Sequence, residues 1–159
     1  MPDWWVTRDG DLDLRDAFLR HYSSSKRVRW RESELCIGPG DKLALHTAAR
    51  DAFFVWRNFV DDCIDQRTGE PQQGVNCAIF RNEGQHLSSR LIRAADAIAD
   101  EVWTDRRHYT YVRREAVRSA NPGFCFTAAG WRRCGTTAGG LLVLERIASG
   151  SDLNEGTTS

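Results

Sequence analysis

Three arginines crowd one point in the chain, where an apolar run gives way to a helical repeat. Arg81 opens the turn Arg81-Asn82-Glu83-Gly84-Gln85-His86, and Arg90 and Arg93 fall in the first turn of the helix that follows. Before the turn, Val75, Cys77 and Ile79 alternate with Asn76, Ala78 and Phe80. Both sets are mostly apolar, as in a strand buried on both faces. After the turn Ser88 or Ser89 can cap a helix, and Leu91, Ile92, Ala95, Ile98, Ala99 and Val102 recur on one of its faces. Asp96, Asp100 and Glu101 lie towards the helix end, so the charges run against the helix dipole. Each such misplacement costs only about 0.3–1 kcal/mol. Cations beside the free amides of a helix start are what an anion would bind. The same residues admit a plainer arrangement, an Arg93–Asp96 surface pair with the other charges solvated.

Two further clusters have chemistry-bearing residue types. Lys26, Arg27, Arg29 and Arg31 surround Trp30 in a polar segment, a mixture that can hold single-stranded nucleic acid by charge and stacking. It is equally a solvated loop with one anchoring aromatic. Asp61, Asp62 and Asp65 fit no calcium loop and read as solvated. Cys36, Cys63, Cys77, Cys125 and Cys134 form an odd set without CxxC or metal-ligand spacing, which predicts reduced thiols, no metal and an intracellular, cytoplasmic protein.

The elements that must position these residues are short and alternate in type. Trp4 to Thr7 reads as a strand ended by Asp9-Gly10. Asp11 or Asp13 then caps a helix with Leu14, Phe18, Leu19 and Tyr22 on one face. Leu35-Cys36-Ile37 and Leu43 to His46 flank the turn Gly38-Pro39-Gly40, and Phe53 to Trp56 makes another strand. The connection from Asp61 to Gly74 is long and polar, with a turn at Thr68-Gly69-Glu70-Pro71. Tyr109 to Val112 follows the central helix as a strand, which makes a strand–helix–strand crossover and hence parallel neighbours. Asn121-Pro122-Gly123 leads into a short helix that Gly130 ends, and the segments 131–135 and 141–146 close the chain as a hairpin. The expected fold class is α/β, a mixed central sheet with one parallel crossover, in a single domain 1–148 with a polar tail 149–159.

With 159 residues, 41% hydrophobic and 28% charged, the chain suffices for one core and needs no second domain. Zero net charge means no global field draws it to DNA or to an acidic membrane. Lys26 and Lys42 are the only lysines, and arginine supplies every other cation. Arginine is the better phosphate fork, although a coding bias gives the same skew. No run resembles a signal peptide or a membrane span, so no membrane partner is expected.

Taken in order, these segments resemble the GNAT superfamily of N-acetyltransferases. The family's loop is written Q/R-x-x-G-x-G/A; Arg81 and Gly84 match it, while His86 stands at the final small position. Counting back from Gly130-Trp131 puts Phe126 where the family has a tyrosine and Ser119 where it has an asparagine, with Asn121 displaced by two. The resemblance covers residues 43–146 and rests on order and spacing more than on any one motif. It implies two central parallel strands splayed apart, with the pantetheine arm of acetyl-CoA or another acyl-CoA along the free edge of Asn76, Cys77, Ala78, Ile79 and Phe80. It further implies a pyrophosphate on the amides from Asn82 to Ser89, close approach at Gly84, and phosphate contacts from Arg81 and Arg90, with Ser88, Ser89, Asn121 and Phe126 around the carrier. An amine, on a small molecule or a macromolecule, would attack the thioester.

The departures shape the catalytic expectations. Phe126 removes the usual acid, but a thiolate of pKa about 8.5 leaves with little help. Tyr111 is the substitute acid, and His21, His46 and Glu83 are the candidate bases. Cys77 and Cys125 are potential nucleophiles or simply small buried residues. Arg20-His21-Tyr22-Ser23 and the basic segment after it also resemble the start of Mom-like phage proteins, which modify adenine in DNA. In that alternative His21 and Tyr22 belong to the modification site and Arg29, Trp30 and Arg31 face DNA. A third reading is a CoA-binding module that has lost the chemistry.

Overall fold

The computed structural model describes residues 3–20, 37–38, 40–114 and 123–148. Its elements are β1 (Trp5–Thr7), α1 (Leu12–Arg20), β2 (Asp41–His46), β3 (Ala52–Asn58), β4 (Ile64–Asp65), β5 (Glu70–Pro71), β6 (Val75–Asn82), α2 (Ser88–Val102), β7 (His108–Val112), α3 (Phe124–Ala128), β8 (Arg132–Thr136) and β9 (Leu142–Arg146). Seven strands form one mixed sheet in the order β1-β2-β3-β6-β7-β9-β8, and β4 and β5 form a separate small pair. The α/β class expected from the sequence is therefore present.

The side-chain alternation of β3 explains the layering. Phe53 and Val55 pack on one face with Leu14 and Ala17 of α1. Phe54 and Trp56 pack on the other with Leu91, Ile92, Ala95 and Ala99 of α2. Each fully buried large apolar side chain there contributes about 1.5–3 kcal/mol, which outweighs the unfavourable charge order along α2. Asp11 starts α1, its carboxylate accepting from the amides of Asp13 and Leu14 at 2.9 and 3.3 Å. Only part of the expected α1 stripe is internal: Leu14 is buried and Phe18 packs partly buried against the same cluster, whereas Leu19 is 47% exposed and Tyr22 lies outside the described residues. Val102, at the far end of α2, is also exposed.

α3 closes with a Schellman turn at the predicted glycine. Gly130 has φ +99°; its amide bonds Thr127 O and the Trp131 amide bonds Phe126 O, each at 3.0 Å. β8 and β9 then run antiparallel. The connection 61–74 is not structureless, since it carries the β4–β5 pair, turned by Gly69 at φ +75°. Residues 21–36, 39, 115–122 and 149–159, with the N-terminal two, lie outside the described residues. Among the described residues no helix is long and apolar enough to cross a membrane.

Candidate functional site

β6 and β7 run parallel, joined by α2, yet they pair only at Val75–His108 and Asn76–Tyr109. Past that seam β6 continues to Asn82 with no ladder on its β7 side. Two side chains bridge the point of separation. Asn76 Nδ2 donates to Tyr109 O at 3.3 Å, and Thr110 Oγ1 donates to Cys77 O at 3.0 Å. On its other side β6 pairs with β3, and the register slips there, with Val55 opposite Ile79 and Trp56 opposite Cys77. Ala78 is the extra residue of this bulge, a device that re-aims backbone groups where it occurs.

The turn after β6 differs from the expected anion cradle. Gly84 N is held by Asn82 Oδ1 at 3.0 Å, and Glu83 N by Asp51 O at 2.7 Å. A Cβ at Gly84 would lie 2.3 Å from the Asp51 carboxylate, so it is Asp51 that requires glycine there. Arg81 donates to Glu83 at 2.9 Å, and Arg20 donates to the same carboxylate. Hydrogen bonds from Arg20, followed by those from Arg81, hold the Glu83 carboxyl at about 2 although burial opposes it. That suits an anchor more than a base.

The helix start itself is open. No side chain caps it; Leu87 stands at the N-cap, and Ser88 Oγ is instead bonded by Asn82 Nδ2 at 2.9 Å. The first helical bond is Leu91 N to Leu87 O, which leaves the amides of Ser88, Ser89 and Arg90 ahead of the ladder. Arg90 reaches Asp3 at 3.0 Å and Arg93 reaches Ala128 O at 2.7 Å.

The expected Arg93–Asp96 surface pair is corrected by the interior. Asp96 is 3% exposed; it meets His108 Nδ1 at 2.8 Å and accepts from Trp131 Nε1 at 2.8 Å. Asp100 takes both Nη atoms of Arg146. Asp96 and Asp100 thus bind partners on β7 and β9 and the Trp131 indole just ahead of β8, while Glu101 is exposed. His108 Nε2 is the buried side-chain atom that has no hydrogen-bond partner among the described residues.

A second correction concerns Asp61. It is buried, not solvated, because two phenols and an amide replace water around it. Tyr109 Oη and Tyr111 Oη both donate to Oδ2, at 2.7 and 2.8 Å, and Cys63 N donates to Oδ1 at 2.9 Å. Burial first, then hydrogen bonding to Asp61 (and, for Tyr111, to Cys63 ahead of it), pushes both phenols well above the ordinary tyrosine value, so they stay protonated donors. Asp65 is likewise engaged, by Arg67, while Asp62 is exposed.

Asp61 borders three adjoining cavities. One of them, about 370 Å³, runs along the parted strands and is bordered by Asn76, Ala78 and Ile79 of β6 and by Tyr111 of β7. Phe18, Ile37 and Phe59 give it apolar walls, and Arg57 adds a cation. Tyr111 therefore does reach the parted region, on the α1 side of the sheet. Phe126 lies on the α2 side, edge-on to Phe80 and Trp131 with centroids 6.0 and 4.9 Å away. Burial pushes the thiols of Cys77 and Cys125 up, away from nucleophilic use. His46 is half-buried and bonded to Thr47 O. His21, Tyr22, Arg29, Trp30, Arg31 and Asn121 lie outside the described residues.

Sequence reasoning weighed Asp61 only as a solvated residue and Tyr109 only as part of a strand, and passed over Arg57 and Phe59. One signal was present: Tyr109 and Tyr111 stand two apart on a strand and so share a face, where two buried phenols must find an acceptor. Compared with known proteins, the chain matches no family model, no curated protein and no solved structure.

Proposed function

We propose that the protein is an acyl-CoA-dependent N-acyltransferase of GNAT type, acting on an amine. One observation carries the reading: two parallel strands pair at two positions, then part beside the uncapped start of a long helix. An exposed strand edge accepts an extended chain of amides by adding to the ladder, and pantetheine is such a chain. The edge of β6 from Asn76 to Phe80 takes that part. The amides of Ser88, Ser89 and Arg90 suit the pyrophosphate, where the helix dipole also favours negative charge. Because Gly84 N is already bonded, the phosphate site moves from the turn to these three residues, and the Arg90 guanidinium would exchange Asp3 for a phosphate oxygen.

The amine approaches from the cavity on the α1 side. Attack on the thioester carbonyl is helped by fixed backbone donors on the bulged strand, and no tyrosine is needed for departure of so weakly basic a thiolate. Titration calorimetry with acetyl-CoA tests the reading: saturable binding is expected, and absence of heat at millimolar ligand removes it.

A further inference from the structure

Two acceptors border the cavity beside the parted strands, and the fold leaves each of them partly unfilled. Asp61 and Asn76 are 7% and 6% exposed. Asp61 Oδ2 takes the hydroxyls of Tyr109 and Tyr111, whereas Oδ1 takes the Cys63 amide. A carboxylate oxygen accepts about two bonds, so Oδ1 keeps one place. All three donors are neutral. Asn76 Nδ2 donates to Tyr109 O at 3.3 Å, and among the described residues its Oδ1 accepts no hydrogen bond. There, His108 Nε2 is the side-chain atom both enclosed and unpartnered, so Asn76 Oδ1 must open onto free space. The space that Asn76 borders is this cavity. Asn76 and Tyr109 pair across the seam, so their side chains leave the sheet on one face.

Acceptors alone, one of them charged, call for a cation that carries N–H groups. Phe18, Ile37, Phe59 and Ile79 call for an apolar body behind it. Arg57 also borders the cavity, but its guanidinium lies 3.6 Å from the centroid of the Phe59 ring and is already partnered. It asks nothing of a ligand.

We infer that this cavity is the acceptor subsite and that the acceptor is a primary amine on an apolar body. The inference rests on the acyltransferase reading and adds its substrate class. The ammonium donates to Asp61 Oδ1 as a charge-assisted bond and to Asn76 Oδ1, and the body lies against Ile37 and Ile79. In the transfer the ammonium gives one proton to water, and its lone pair attacks the thioester carbon. The C–N bond forms as the C–S bond breaks, and the departing thiolate takes the second proton shed by nitrogen. The N-acyl product has lost its charge and two of its donors, so its hold on Asp61 is weakened as it forms.

Calorimetric titration of the full chain with phenethylamine tests the subsite. Hydrocinnamate reverses the charge, N,N,N-trimethylphenethylammonium keeps the charge without N–H groups, and N-acetylphenethylamine stands for the product. Phenethylamine should bind at least about tenfold more tightly than each of the three. Asp61→Asn, which still offers an oxygen to the phenols, should unfold cooperatively in urea and lose the preference for phenethylamine over its acetyl derivative. The probe series on the parent chain decides the matter where that variant does not fold. Absence of saturable phenethylamine binding, equal binding of any other probe, or an undiminished preference in folded Asp61→Asn overturns the inference. Acetyl-CoA binding without phenethylamine binding sinks the subsite alone; phenethylamine binding without acetyl-CoA binding sinks the acyltransferase reading and keeps the subsite.

Discussion

Two buried carboxylates face the same side of the sheet and are treated in opposite ways. Glu145, directly across from Tyr109 in the β7–β9 register, is surrounded by Arg67, Arg107 and Arg132 at 2.9, 2.7 and 3.0 Å. Asp61, bonded to that same Tyr109, is held by neutral donors and borders open space. A carboxylate closed in by guanidinium groups has its charge answered and nothing left to offer. One held by phenols keeps its charge available to a visitor. The difference separates a structural pin from a candidate binding group more sharply than burial does, since Glu145 is 1% exposed and Asp61 only 7%.

The comparison can be broken by substitution. Glu145→Ala leaves three guanidinium groups facing one another without their shared acceptor, and stability should fall by about 3–5 kcal/mol, read from urea unfolding. The β4–β5 pair, tied to β9 by Arg67, should become sensitive to proteolysis in the same variant. Asp61→Ala should cost less, about 1–3 kcal/mol, because it strands phenols in place of charges.

pH sharpens the contrast. Burial alone would raise the Glu145 carboxyl, but hydrogen bonds from Arg67, Arg107 and Arg132 outweigh it and bring the group from 4.5 to about 2. A carboxyl depressed in the folded state adds stability above its unfolded value and loses it on acidification. Unfolding midpoints should therefore fall as pH drops from about 4.5 towards 2, and Glu145→Gln should flatten that part of the curve. The smallest effect belongs to the neighbour of Asp61: Asp62→Asn, at an exposed position, should change stability by no more than about 0.5 kcal/mol. A larger loss there would mean that the adjacent aspartates share their role.

What the sequence discloses depends on how far apart the partners lie. Strand alternation in 75–80, the α2 stripe from Leu91 to Ala99, the Asp11 cap and the Gly130 stop are local patterns, and each appears in the structure where local pattern puts it. The burial of Asp96 depends on His108 and Trp131, which are 12 and 35 positions away. Glu145 draws its arginines from 78, 38 and 13 positions away. Asp61 stands beside Asp62 in one polar run, and what distinguishes them over distance is a pair of tyrosines 48 and 50 residues on. No periodicity encodes such meetings. The Ser88 cap failed for a local reason: the helix begins at Ser88 itself, so Leu87 takes the cap position and Asn82 bonds the Ser88 hydroxyl.

With two rungs joining a four-strand section to a three-strand section, the sheet has a crease. A crease is where a body bends. Anything wedged between the strands beyond Asn76 and Tyr109 acts as a lever on that joint, and Tyr109 passes the motion to the carboxylate that its hydroxyl grips. Filling one side of the sheet would thus change the grip on the other, and two ligands on opposite faces would register each other mechanically without ever touching.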